Sequence, residues 1–139
     1  MIVFICVDDA CGVMFNRRRQ SMDRVLREYV TAACSGRKLY MSLYTANQFT
    51  DADREAATII ADDGFLEKAG SGDCCFVEDK IGQLRLEAVE MLYLVRWNRR
   101  YPADTFFRTD PSAAGFRLEK VDEFAGSSHE KITVEVYRK

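Results

Sequence analysis

Cys74-Cys75-Phe76-Val77-Glu78-Asp79-Lys80 (CCFVEDK) sets four apolar residues directly against three charges. An apolar run this short, preceded by Ser71-Gly72-Asp73, reads as a buried strand. Adjacent Cys74 and Cys75 then point to opposite faces of a sheet. The three charges fall where a strand passes into a loop, and they read as a solvated strand end.

Working outward, Ile2 to Val7 is apolar throughout, the pattern of a central strand covered on both faces. It stops at Asp8 and Asp9, at the carboxyl end where α/β sheets place ligands. Two carboxylates there could hold a magnesium ion. An Asx-type turn before Gly12 is the preferred reading, because Asp is a favoured turn residue. The stretch to Ser21 reads as a loop. Ser21 suits an N-cap, with Asp23 in the first turn of the helix that follows. Met22, Val25, Leu26, Tyr29, Val30 and Ala33 recur at helical spacing, and Gly36 is the expected stop.

Residues 38–44 alternate as a second strand, and 45–49 suggest a short helical turn. Residues 51–57 are open between loop and helix, 58–61 read as a strand, and the whole of 46–62 could instead be a lid loop. Asp63 can cap a short helix over 64–70, and 80–90 suggest one helix. Strands follow at 91–97, 115–124 and 131–139. Pro102 lies in a connection, and Gly126, Ser127 and Ser128 form a bend. The expectation is one α/β domain over 1–139: a mixed, mostly parallel sheet flanked by helices, with an antiparallel C-terminal hairpin.

Composition supports a packed fold and restricts partners weakly. Of 139 residues, 47% are apolar and 30% charged, enough for a core without a metal or disulfide staple. The net charge of −2 gives no bias toward nucleic acid or acidic membranes. Five cysteines without regular spacing fit a reduced, cytoplasmic protein. The opening residues carry no basic leader, and the first apolar run is too short for a membrane span. The oligomeric state is left open.

MIVFICVDDACGVMF, SGRKLYMS, FLEKAGSGDCCFVE, VEMLYLVRW, ADTFFRTDPSAAGFRLEKVDEF and ITVEVYRK fall in the order of blocks that resemble the dihydrofolate reductase-like fold. The resemblance implies that fold, and it implies NADPH as the family's cofactor. It also implies where this chain departs. The strand resembling Phe76-Val77 runs in the family into a glycine pair, whose backbone approaches the cofactor's phosphates. Here Glu78, Asp79 and Lys80 follow. The family's Gly-Arg-Lys/Arg-Thr phosphate contact reads Ser42-Leu43-Tyr44-Thr45, and its Pro-Trp is replaced near Arg19, Gln20 and Ser21. Asp23 stands near the family's substrate-binding acid. The resemblance therefore implies a reductase scaffold for which no cofactor is expected, with a divergent NADPH-dependent reductase as the alternative. A second similarity, through CVDD, RRQS, RWNR and EFAGSSHEKIT, is to short bacterial proteins labelled ribonuclease Z. That enzyme's two-zinc cage needs several histidines, and His129 stands alone, so no metal site is expected.

Asn16, Arg17, Arg18 and Arg19, with Asp23, are the leading ligand candidates. Arginine forks before a helix suit a phosphorylated small molecule or a nucleotide; the alternative is a solvated basic loop. Arg96, Trp97, Arg99 and Arg100 interleave cations with an aromatic ring, a pattern that can stack bases of RNA. The alternative is an edge-strand exit with a packed Trp97. His129 beside Glu130 could work as an acid–base pair, with Asp23 a further catalytic candidate. A hairpin turn capped by Ser127, Ser128 and His129 is the competing account.

Overall fold

The computed structural model describes residues 1–139. In chain order the strands and helices are β1 (Ile2–Val7), β2 (Gly12–Phe15), β3 (Arg18–Arg19), α1 (Arg24–Ala33), β4 (Lys38–Met41), α2 (Leu43–Ala46), α3 (Asp51–Ala56), β5 (Thr58–Ala61), α4 (Phe65–Lys68), β6 (Cys74–Phe76), β7 (Met91–Arg96), β8 (Thr105–Phe106), β9 (Arg117–Phe124) and β10 (Ile132–Arg138). Seven strands form the main sheet in the order β5-β4-β6-β1-β7-β10-β9. Strands β5 to β7 in that order run parallel, while β10 is antiparallel to both β7 and β9. A second, three-stranded antiparallel sheet, β3-β2-β8, stands beside it. No helix is long and apolar enough to cross a membrane.

The apolar runs form the centre of the sheet, as their patterns require. β1 is buried along its whole length. Ile2, Phe4 and Cys6 face one core with Cys74; Val3, Ile5 and Val7 face the other with Cys75. The first core is covered by α1 through Leu26, Val30 and Cys34. Fully burying Leu26 or Val30 stabilises by about 1.5–3 kcal/mol each. The second core takes Phe65 from α4 and Phe116 before β9. All five cysteines are free thiols, and four of them are buried.

Local details depart from the sequence reading. Asp23, not Ser21, caps α1, accepting from the backbone N–H groups of Val25 and Leu26. Met22 therefore precedes the helix and is exposed, and Thr31 is buried where Ala33 was expected. The loop expected after Gly12 contains the hairpin β2–β3. Residues 42–44 leave the second strand, because the Ser42 hydroxyl accepts from the Thr45 N–H and starts α2. Asp63 does not cap its own helix; it accepts from the Leu43 N–H instead. Residues 46–62 hold α3, closed by a Thr50–Asp53 capping box, and β5. Residues 80–90 make two 3₁₀ turns, at Ile81–Gln83 and Leu86–Ala88, rather than one helix.

The bend between β9 and β10 packs against the N-terminus of α1. A Cβ on Gly126 would lie 2.9 Å from Ile132 Cδ1 and 3.0 Å from Asp23 Cγ. Overpacking of this kind costs about 1–3 kcal/mol. It outweighs the roughly 0.4–1 kcal/mol that a Gly→Ala change gains through the unfolded chain. Gly126→Ala is expected to lower the urea midpoint without changing the slope of the transition.

Candidate functional site

Two acids organise the carboxyl-terminal end of the parallel strands. The first is Glu78, two residues beyond β6. Only 6% of it is exposed, so the strand end is not solvated as its sequence suggested. Arg19, from β3, holds it: Nε lies 3.2 and 3.3 Å from the two carboxylate oxygens, and one terminal nitrogen lies 3.3 Å from Oε1. The Thr45 hydroxyl at 3.0 Å and the Gln48 amide at 3.3 Å also donate to Oε1. Arg19 further donates to the Tyr44 carbonyl and lies 4.3 Å over the Tyr44 ring. Burial raises the Glu78 carboxyl above its ordinary range, even against the Arg19 charge and these hydrogen bonds. Asp79, next in sequence and exposed, accepts from the Ser42 hydroxyl at 2.6 Å.

The second acid is Asp23, which joins α1 to the β9–β10 bend. Its oxygens accept from the N–H groups of Ser127 and Ser128 at 3.0 and 2.8 Å, in addition to the two helix N–H groups. His129 Nδ1 lies 3.0 Å from Oδ2. A carboxylate only accepts, so Nδ1 carries the proton and Nε2 of the neutral ring is an acceptor. The Ser21 and Tyr101 hydroxyls converge on that nitrogen at 3.1 and 3.0 Å. Trp97 stacks on the imidazole at 4.5 Å. Burial would raise the Asp23 carboxyl, but hydrogen bonds from His129, Ser128, Ser127 and Leu26 together hold it well below the usual range.

Beside the small sheet opens a cleft of about 650 Å³, lined by Met14, Arg17, Tyr44, Asp79, Asp104 and Thr105. Its rim is the β2–β3 hairpin. Asn16 and Arg17 form the two-residue turn with φ of 51° and 62°, the paired positive angles of a type I′ turn. Asn16 is well suited to this conformation, and its N–H donates to Asp104. Arg17 sits where glycine is preferred.

The structure thus separates the candidates that the sequence grouped. Arg17 reaches the cleft; Asn16 shapes its rim; Arg18 is exposed on an adjoining cavity of about 350 Å³ with Tyr101 and Pro102. Arg19 is committed to Glu78, and Asp23 is enclosed rather than open to a ligand. Arg96 pairs with Glu135, and Trp97 is buried under His129. Arg99 and Arg100 are exposed. His129 meets Asp23, whereas Glu130 points away as an exposed residue of the bend. Asp8 makes the expected Asx turn through the Ala10 and Gly12 N–H groups. No group of three or more His, Cys, Asp or Glu side chains is placed to hold a metal ion. Sequence reasoning missed Gln48, Asp104 and Thr105, whose roles arise only from the way distant segments meet.

This strand order, with a parallel sheet closed by an antiparallel β9–β10 hairpin, defines a dihydrofolate reductase-like α/β fold. Dihydrofolate reductase from Enterococcus faecalis, solved with NADP(H) and RAB-propyl, matches with a TM-score of 0.65. The match covers 99% of this chain and 94% of that one at 11% sequence identity, and it establishes the fold alone. No protein-family model matches the sequence, and no curated protein does.

Two consequences can be measured. Arg19→Met leaves Glu78 buried without its cation, which should cost about 3 kcal/mol at neutral pH. A raised carboxyl takes up its proton above the ordinary carboxylate range, so the difference from wild type should shrink as pH falls toward that range in paired denaturation curves. Asp23 behaves oppositely. Its depressed carboxyl stabilises the fold above the ordinary carboxylate range, and that contribution is lost as pH falls through and below it. Asp23→Asn should cost about 2 kcal/mol at neutral pH, with the gap to wild type closing below about pH 4.

Proposed function

We propose that the protein uses a dihydrofolate reductase-like scaffold without nicotinamide-dependent reduction, and binds a small nucleotide-like ligand in the Arg17–Asp79–Asp104 cleft. The observation that carries the first half is the Glu78 cluster. On the resemblance, the segment after β6 and the segment Ser42–Thr45 are the places that meet cofactor phosphates. Here the hydroxyls of Ser42 and Thr45 donate to Asp79 and Glu78. The protein's own carboxylates occupy the donors that phosphate would need. No glycine pair follows β6 directly, where Val77, Glu78, Asp79 and Lys80 stand, and the segment continues into a 3₁₀ turn rather than a long helix with free N–H groups. Residues of this kind do not fit a dinucleotide pyrophosphate: the exposed Asp79 would repel it, and Glu78 already takes up Arg19 and Thr45.

The lining of the cleft supports the second half. Asp79 and Asp104 suit amino groups of a heterocycle, Tyr44 and Met14 offer apolar surface, and Arg17 suits a single phosphate or carboxylate. The volume is within the range of small-ligand sites. A guanidinium kept at a turn position that favours glycine is itself a reason to assign Arg17 a function.

Thermal unfolding in the presence of NADPH and of each nucleoside monophosphate tests this reading. Saturating NADPH should leave the midpoint unchanged. A monophosphate at a hundredfold excess over its dissociation constant should stabilise by about 2.7 kcal/mol, a shift of several degrees. Arg17→Gly should abolish that shift while keeping or raising the midpoint of the free protein, because it relieves about 1 kcal/mol of left-handed strain. Stabilisation by NADPH would overturn the proposal in favour of a divergent reductase.

A further inference from the structure

We infer that Ser21, His129 and Asp23 form a nucleophilic site for hydrolysis of small carboxylic esters. Asp23 fixes the ring by accepting from Nδ1, so the single Nε2 lone pair is shared between the Ser21 hydroxyl at 3.1 Å and the Tyr101 hydroxyl at 3.0 Å. Nucleophile, base and orienting carboxylate stand in the order that activates serine elsewhere on unrelated folds. Backbone N–H groups keep Asp23 ionised and immobile, and Trp97 fixes the plane of the imidazole. A purely mechanical pin would not need the last link: Asp23 already ties the bend to α1 through Ser127 and Ser128. Ser21 is half-buried, whereas Asp23 and His129 lie behind it with side-chain exposures of 0 and 1%.

The chemistry balances within these groups. Ser21 Oγ attacks the ester carbonyl carbon as its proton passes to Nε2, and the carbonyl π pair moves onto oxygen. Tyr101, whose hydroxyl also lies 3.0 Å from Nε2, loses that acceptor at the same moment and becomes free to donate to the new oxyanion. Collapse expels the alcohol, which leaves with the proton from Nε2. Water then repeats the cycle: it gives a proton to Nε2, its oxygen attacks the acyl carbon, and Ser21 recovers its hydrogen as the acid departs. Tyr101 and Gln20, the neighbour of Ser21, line the 350 Å³ cavity with Phe15, Arg18 and Pro102. Arg18 is exposed there, so the geometry suits an ester that carries an anionic group. This inference stands apart from the ligand reading of the Arg17 cleft and survives its failure.

A fluorophosphonate reacted with the intact protein provides the test, with adducts mapped by peptide mass spectrometry. Ser127 and Ser128 are exposed, lie beside His129 in sequence and have no contact with Nε2, so they serve as internal standards. Labelling at Ser21 should exceed theirs by about a hundredfold or more, the effect of a positioned general base. Ser21→Ala should lose the adduct, and with it turnover of a p-nitrophenyl ester bearing a free carboxylate, at an unchanged unfolding midpoint. No adduct at Ser21, an adduct no faster than at Ser127, or undiminished turnover in Ser21→Ala would each overturn the inference.

Discussion

The Glu78 carboxylate is the constraint on which the carboxyl-terminal end of the parallel strands depends. β6 delivers it to the interior, and burial alone would neutralise it. Its ionised form therefore requires a cation and further donors. Arg19 comes from β3, Thr45 from α2 and Gln48 from just beyond α2. Four segments are thereby held together at one point, including the small sheet that walls the cleft. Two long side chains in water would gain little from such a pair. Here the side chains of Arg19 and Glu78 are only 17% and 7% exposed, so separating them would strand a charge.

Asp23 performs a matching task at the N-terminus of α1. The N-cap of an ordinary surface helix satisfies one or two N–H groups of its own helix. This one also receives two N–H groups and an imidazole from the β9–β10 bend, more than a hundred residues away. The strengthened acidity of Asp23 and the weakened acidity of Glu78 have one origin, the number of donors set against the depth of burial. At Asp23 the donors prevail, and at Glu78 burial does. The two acids differ in what they join: the first ties the β9–β10 bend to α1, while the second ties β3 and α2 to the end of β6.

The sheet was legible from periodicity because its strands are driven by apolar burial. Ile2–Val7, Cys74–Phe76, Met91–Arg96 and the final hairpin follow from runs and alternation that no local interaction contradicts. The misread elements share a different cause. Ser42 ends a strand early, and Asp23 displaces Ser21 as the cap, because polar side chains found partners that sequence proximity does not reveal. The candidate site was partly legible. Arg17 to Arg19 stood out as a charge cluster and Glu78–Asp79 as a departure from the resembled family, but nothing in the sequence joined the two. Only the crossing of β3 toward the end of β6 turns Arg19 and Glu78 into a pair. Ser21 was legible only as a helix cap, since a serine and a tyrosine become informative together only when one imidazole lies between them.

Arg17 and Arg19, two residues apart, illustrate how one short hairpin divides its charges. The type I′ turn places Asn16 and Arg17 at its tip, and pairs Phe15 with Arg18 and Met14 with Arg19 across the strands. Alternation in β3 sends Arg19 inward to Glu78 and leaves Arg18 on the outer surface. The turn itself presents Arg17 to the cleft at a backbone angle that a glycine would adopt without strain. Stability alone would favour Asn-Gly at the tip. Retention of a guanidinium there is consistent with a site in which one cation must stand opposite Asp79 and Asp104, while the cation that could have joined it is held in the interior by Glu78.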